Sequence, residues 1–308
     1  MHYILGLFLF CQTILGQQDP QYTHYMYNMG VINPAYATAK TAMLDLGLLY
    51  RSQWVGAVGA PKTLTAFGHL PVGKKIELGL SFISDDIGDG AKKENNAYAD
   101  IAYVLQLNGN QRLSFGAKVG FTNLSTNFNG FRFENENISS DKAFEQNLNL
   151  FKGNLGFGAY YFTDHYYVGL SAPNILPSTH LEEKNGIKAL GSENIHLFAT
   201  AGYVFEVNED WKLKPAMMAK MIKGTPISLD LSANVLYDNK FEFGLAYRLK
   251  DAVNGLVGMK VAKGLKIGYS YDYTLSNLGQ FNSGTHEVFL LFGLDLLGKG
   301  YDKSPRFF

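Results

Sequence analysis

Four of the seven histidines in this chain are candidates for general acids or bases. They are His165, His180, His196 and His286, and many serines and aspartates accompany them. Hydrolysis by a lipase or protease requires a nucleophile, a histidine and a carboxylate held together in space. The Gly-x-Ser-x-Gly elbow that presents a serine nucleophile is absent from the sequence. A fold can bring distant residues together without such a motif, but we interpret the chain as non-enzymatic and assign no catalytic residue.

One acidic loop resembles a calcium-binding sequence in composition. This loop is Asp85–Gly90, with the sequence DDIGDG. It lacks the spacing and the closing glutamate of an EF-hand, so we interpret it as a solvated external turn. The sequence also has no histidine pair at metal-ligand spacing and no phosphate-binding glycine loop. We therefore predict no metal ion and no cofactor.

Charge and cysteine content limit the class of protein further. Lysine plus arginine and aspartate plus glutamate are balanced at 27 each, so nothing indicates binding to nucleic acid. The only cysteine, Cys11, lies in an apolar stretch within residues 1–16. This stretch, followed by the small residue Gly16, is typical of a secretory signal peptide. We expect export, and a mature chain without disulfides or a reactive thiol.

Polar and apolar residues alternate in many segments, which is the pattern of a β-strand with two different faces. In residues 226–238, for example, Ile227 and Leu229 alternate with Ser228 and Asp230. No run of about 18 apolar residues is present, as a membrane-spanning helix would need. The alternation therefore predicts an all-β, transmembrane antiparallel β-barrel of about fourteen strands. The predicted strands are 42–54, 62–71, 75–84, 96–107, 111–123, 153–163, 165–172, 194–206, 210–222, 226–238, 240–250, 253–261, 264–275 and 285–296.

The connections between these strands differ in length in a regular way. Every second connection is tight, such as those at 72–74 and 238–239, while most of the others are longer, such as those at 123–152 and 173–194. Outer-membrane barrels have short periplasmic turns at one end and longer external loops at the other. The pattern therefore predicts an outer-membrane barrel, and an even strand number predicts that both termini are periplasmic.

The rows of residues predicted to face the inside of the barrel carry charges of both signs and many glycines. We interpret the charges as a paired network or as the lining of a polar conduit. The glycines allow either curvature of the wall or close approach of another backbone. The charged positions are Asp45, Arg51, Glu77, Lys118, Lys212, Lys214, Lys220, Asp230, Glu242, Arg248, Lys260, Lys266 and Asp272, and the glycines include Gly79, Gly116, Gly120, Gly156, Gly158, Gly202, Gly244, Gly258, Gly268 and Gly293.

The segment before the first strand does not alternate. Asp19-Pro20 is a typical helix start, and an aromatic and methionine stripe on one helical face follows it. We predict a short N-terminal helical plug that packs inside the barrel or at its periplasmic mouth. The candidate residues for plugging or partner binding are Tyr22, Tyr25, Met26, Met29 and, in the first loop, Trp54. Trp54 is either an anchor for a partner or a marker of the membrane interface.

Several motifs of this chain resemble, in order, those of the PorP/SprF family of the type IX secretion system. The first is DPQYTHYMYN…NPAYA, at Asp19–Ala37. The others are RSQWVGAVGAPKT at 51–63, SDDIGDG at 84–90, GYSYDYTLSNL at 268–278, SGTHEVFLLF at 283–292 and SPRFF at 304–308. The resemblance covers nearly all of the mature chain. The loops at 123–152 and 173–194 match the family less well.

The resemblance implies a non-enzymatic outer-membrane component that docks, delivers or retains a large cell-surface adhesin with a C-terminal sorting domain. It also implies other type IX secretion components as partners, and a role in secretion or gliding motility. The alternative is an outer-membrane transporter of hydrophobic solutes, of the long-chain fatty-acid type. The expected organisation is a signal peptide at 1–16, a plug segment at 17–40, a barrel at 41–297 and a periplasmic tail at 298–308.

Overall fold

A computed structural model of the chain describes residues 22–38, 43–127, 147–176, 179–180, 191–192 and 195–296. Within these residues, fourteen long antiparallel strands form the wall of a barrel. They are Met43–Ser52 (β1), Lys62–Val72 (β2), Ile76–Ile87 (β3), Lys92–Gln106 (β4), Arg112–Thr126 (β5), Asn149–Phe162 (β6), Tyr166–Ala172 (β7), His196–Tyr203 (β8), Trp211–Ile222 (β9), Ser228–Tyr237 (β10), Phe241–Arg248 (β11), Ala252–Ala262 (β12), Leu265–Thr274 (β13) and Thr285–Asp295 (β14).

The remaining elements are short. Phe205–Glu206 prolongs β8 and pairs with β9, while Thr179–His180 pairs with Gly191–Ser192 in a separate two-residue ribbon. A 3-10 helix covers Asn277–Phe281 before the last strand. The described residues include no helix that is long and apolar enough to span a membrane.

The sheet closes on itself. Each strand pairs with its neighbours in sequence, and β1 pairs with β14 from Met43 opposite Asp295 to Ser52 opposite His286. Closure gives every strand a hydrogen-bonding partner on both sides, which is the condition for a sheet to cross lipid. The predicted fourteen-stranded antiparallel barrel is confirmed.

The alternation also assigns the faces of the strands as predicted. In β14, Glu287 and Phe289 are 0% exposed, whereas Val288 is 46% and Leu294 is 45% exposed. In β10, Asp230 is buried and Leu231 is exposed. The outer surface is therefore apolar, and the charged residues point inward.

The two ends of the barrel have different connections. At one end, here called the turn end, β10 and β11 are joined through Asp238 and Asn239, whose φ angles of 50° and 48° are those of a tight hairpin turn. The other end, the long-loop end, carries the connections at 53–61 and 275–284. Here β5 runs to Thr126 and β6 begins at Asn149, so the predicted loop at 123–152 is shorter at both ends than expected.

Residues 22–38, here called the inner segment, differ from the predicted helix. They contain only a 3-10 turn at Tyr25–Tyr27 and one α-helical turn at Met29–Ile32 (α1). The backbone is extended or turned elsewhere because the barrel wall supplies its hydrogen bonds, as at Thr38, whose N–H donates to Glu77. The predicted helix start at Asp19-Pro20, the expected signal peptide at 1–16 and the expected tail at 298–308 lie outside the described residues.

Candidate functional site

The inner segment is bonded to inward-facing residues around the barrel. At the long-loop end, the Tyr22 hydroxyl lies 2.9 Å from the Thr65 hydroxyl. At the turn end, the Thr38 N–H donates to Glu77 over 2.9 Å. The segment therefore lies inside the barrel and contacts the wall near both ends. Tyr22, the first described residue, lies near the long-loop end. The residues before it are not described, so the expected periplasmic N-terminus stays a prediction.

A buried charge cluster holds the inner segment near the long-loop end. Arg51 donates to Asp272 and to Glu287, each over 2.9 Å, and it also donates to the Thr23 hydroxyl over 2.9 Å. Glu287 in turn accepts the backbone N–H groups of Thr23 and His24, at 3.0 and 2.9 Å. The His24 ring contacts the same carboxylate, with Nδ1 2.6 Å from Oε1. We call Thr23, His24, Arg51, Asp272 and Glu287 the long-loop charge cluster. Because all five are buried, each charge depends on the others for compensation.

A second cluster fixes the segment near the turn end. The Tyr27 hydroxyl donates to Glu242 and accepts from Lys266, whose Nζ is 2.9 Å away. Lys266 also pairs with Glu242 and lies 4.4 Å from the centroid of the Tyr27 ring. The neighbouring Tyr25 is also buried, and its hydroxyl lies 3.5 Å from the Ser232 hydroxyl.

Glycines in the wall make room for the inner segment. A Cβ atom added at Gly116 would overlap the carbonyl group of Pro34, and one added at Gly158 would overlap the Asn33 side chain. Asn33 also donates from Nδ2 to the carbonyl oxygen of Ala159 over 3.1 Å. These two glycines are thus required for close approach of another chain segment. This was one of the two explanations that the sequence left open.

The five candidate site residues fall into two places. Tyr22, Tyr25, Met26 and Met29 are all buried together in the inner segment. Trp54 is separate from them, in the loop after β1, where its φ angle is 47°. Its backbone N–H donates to the Thr285 hydroxyl over 3.1 Å. The structure brings together the first four residues and not Trp54, and a role of any of them in partner binding stays a prediction.

Two buried histidines that contact carboxylates were not among the residues predicted from the sequence. His24 belongs to the long-loop charge cluster, and His69 lies with Nε2 3.0 Å from Glu77 near the turn end. His69 could have been found from its inward position in the alternation of β2. His24 lies in a segment without alternation, and its partner Glu287 is 263 residues away in sequence.

Three of the four histidines considered as catalytic candidates have described side chains, and they lie on different strands or connections. His165 lies in the turn-end connection after β6, whereas His196 is the first residue of β8 and His286 the second residue of β14, both at the long-loop end. The Nδ1 atom of His286 lies 2.7 Å from the Tyr269 hydroxyl oxygen. The side chain of His180 lies outside the described residues.

The acidic loop predicted at Asp85–Gly90 is a turn only in part: residues 85–87 end strand β3, Asp85 is buried, and the turn covers residues 88–91. Asp86 caps the N–H of Gly90 over 2.6 Å, and Asp89 pairs with Lys62 at 3.1 Å. In the part of the chain that the structure describes, no group of three histidine, cysteine, aspartate or glutamate side chains is placed to hold a metal ion.

A cavity of about 80 Å³ lies between the inner segment and the long-loop end. We call it the long-loop cavity. Its floor includes Tyr22, Val31 and Ile32 of the inner segment. Its walls combine apolar and polar groups from several strands: Ile83, Glu94, Asn96, Tyr98, Lys118, Thr122, Asn154, Pro173, Asn174, Phe198, Met218, Lys220, Ser228, Asp230 and Arg248.

Comparison with known proteins gives one family and several similar folds. The profile of the family described as "Type IX secretion system membrane protein PorP/SprF" matches residues 14–292. No curated protein matches the chain in sequence.

Among solved structures, the chain is similar to the Ralstonia pickettii toluene transporter TbuX, with 10% identity, a TM-score of 0.51 and coverage of 86% of this chain and 93% of that one. It is also similar to a Pseudomonas aeruginosa FadL homologue, with 13% identity, a TM-score of 0.51 and the same coverage. The Pseudomonas putida toluene transporter TodX gives 11% identity, a TM-score of 0.50 and coverage of 86% and 92%. At these identities the likeness shows the barrel fold alone.

Proposed function

The chain belongs to the PorP/SprF family of type IX secretion system membrane proteins, and from that premise we propose that it is a non-enzymatic docking partner for a secreted surface protein. The family and the β-barrel fold are those of bacterial outer-membrane proteins. In the proposal, the turn end faces the periplasm and the long-loop end faces the exterior. The partner is a large adhesin with a C-terminal sorting domain, which the barrel delivers to or retains at the cell surface together with other secretion components.

The observation that supports docking most strongly is the occupied interior. The inner segment is fixed to the wall by the long-loop charge cluster and, near the turn end, by Tyr27, Glu242 and Lys266. Removing one member of such a buried ionic group costs about 3–5 kcal/mol, because the remaining charges are left buried without compensation. A barrel with a closed interior suits a scaffold that binds a partner at its outer end better than it suits a channel.

The second candidate is transport of a hydrophobic solute. The apolar part of the long-loop cavity, with Ile83, Phe198 and Met218, favours it. Transport would require the inner segment to move, because Tyr22, Val31 and Ile32 lie below the cavity. If the protein is a transporter, deleting its gene should reduce solute uptake and leave the surface proteins unchanged.

Deletion of the gene, followed by quantitative comparison of surface proteomes, separates the two candidates. Docking predicts that one large surface protein is lost from the cell surface or is released into the medium. Re-expression of the wild-type barrel restores it, and uptake of a labelled long-chain fatty acid is unchanged throughout. An unaltered surface together with reduced uptake would contradict docking and favour the transporter.

A further inference from the structure

We propose that the long-loop cavity is the pocket in which the docked protein inserts an extended polypeptide segment. The proposal rests on the docking function above and assigns a place and a chemistry to it. The occupant is a peptide that supplies backbone N–H groups to the polar wall and apolar side chains to the remainder. It enters from the long-loop end and stops at the inner segment.

The floor of the cavity is fixed. The Lys118 ammonium group donates to the carbonyl oxygen of Val31 over 2.7 Å, and the Ser171 hydroxyl donates to that of Ile32 over 2.8 Å. Strands β5 and β7, which lie on either side of β6, therefore hold the same helical turn of the inner segment. Because the floor is held in place, a bound segment would stay in the pocket and would not pass through the barrel.

Asn154 provides the second observation. Asn154 lies on β6, lines the cavity and is only 7% exposed. Its Oδ1 atom has no hydrogen-bond partner among the residues that the structure describes. A buried amide oxygen without a donor is unfavourable, and a ligand that supplies an N–H group removes this cost. A hydrocarbon solute supplies none, whereas every peptide unit except proline supplies one.

The rest of the wall matches a peptide as well. Ile83, Phe198 and Met218 are buried apolar side chains that line the same cavity and can pack against apolar side chains of the occupant. The ion pair between Arg248 and Asp230, with Nε and Oδ1 2.7 Å apart, adds polar groups at the opposite wall. A largely apolar lining with a few placed polar groups is the composition of ligand pockets in general. The Asn154 oxygen, which has no partner within the described part of the chain, is the feature that favours a peptide over a hydrocarbon.

The first test replaces Asn154 by leucine, which keeps the approximate volume and removes the acceptor. The matched control is Asn254→Leu, because Asn254 is also an inward residue, is 4% exposed and does not line the cavity. Both variants are expressed in the deletion strain, and the amount of folded barrel is checked by heat-modifiable gel mobility. Loss of one hydrogen bond predicts about a fivefold drop in surface retention of the protein that the deletion strain loses. The control variant is expected to retain it.

The second test identifies contact directly. A photo-crosslinking amino acid, p-benzoylphenylalanine, replaces Met218 in the cavity or Leu256, an equally buried inward residue outside it. The proposal predicts an adduct with that same surface protein at position 218 and not at position 256.

Three other outcomes overturn the proposal in different ways. If the deletion removes a surface protein but the Asn154 variant retains it and position 218 gives no adduct, docking stands and this pocket is wrong. If Asn154→Leu changes only fatty-acid uptake, the occupant is an apolar solute. If the deletion leaves the surface proteome unchanged, the docking function itself fails.

Discussion

Replacing Arg51 by methionine removes the central cation of the long-loop charge cluster. The guanidinium group is 2.9 Å from Asp272 and 2.9 Å from Glu287, and it donates to the Thr23 hydroxyl of the inner segment. Methionine fills much of the same volume but leaves both carboxylates without it, although Glu287 keeps its bonds to His24. Breaking a buried ion pair in this way costs about 3–5 kcal/mol. The folding equilibrium constant should therefore fall by more than about 100-fold.

The assay is urea-induced unfolding in lipid vesicles, followed by the fluorescence of Trp54 and Trp211. Arg112→Met is the matched control, because the side chains of Arg112 and its partner Asp164 are 21% and 35% exposed and lie 3.3 Å apart. Partly exposed pairs contribute about 0–1 kcal/mol, so this variant should remain near the wild type. If the two variants differ by less than about 1 kcal/mol, the long-loop charge cluster does not hold the inner segment as argued.

The outward face and the packing of the inner segment give two further predictions. Leu231→Arg, on the lipid-facing row of β10, should lower folding stability by up to about 2–4 kcal/mol, and Leu249→Arg should cost less because Leu249 lies nearer the long-loop end. The two leucines are equally exposed at 47%, but Leu249 lies beyond the end of β11, so equal gel mobility and equal unfolding curves would refute the assigned membrane position. Gly116→Ala should destabilise by about 1–3 kcal/mol because its new methyl group overlaps Pro34, whereas Gly255→Ala meets nothing within 4 Å and should have no such cost. Equal midpoints of urea unfolding for the two alanine variants would contradict the close approach.

The wall of the barrel was predictable because its signal is local and repeated. A period of two residues assigns each side chain to a face from its neighbours alone, as Asp230 and Leu231 show. Turn residues such as Asp238 and Asn239 then mark where a strand must end. Closure followed from the same pattern, since an apolar outer face along all strands leaves no edge that lipid would accept.

The inner segment was only partly predictable. The spacing of Tyr25, Met26 and Met29 indicated burial correctly, but it suggested a continuous helix where the structure has two short turns. The reason is tertiary: the N–H groups of residues 23 and 24 find their acceptor in Glu287, more than 260 residues away. Such pairings depend on which wall positions face the segment, and no local pattern in the sequence contains that information.

Conductance across a planar lipid bilayer shows whether the inner segment closes the barrel. Purified wild-type protein should insert without producing steady open-channel current, because the segment is bonded to the wall near both ends. Stable conductance steps from the folded wild-type protein would show a continuous aqueous path and would contradict the account.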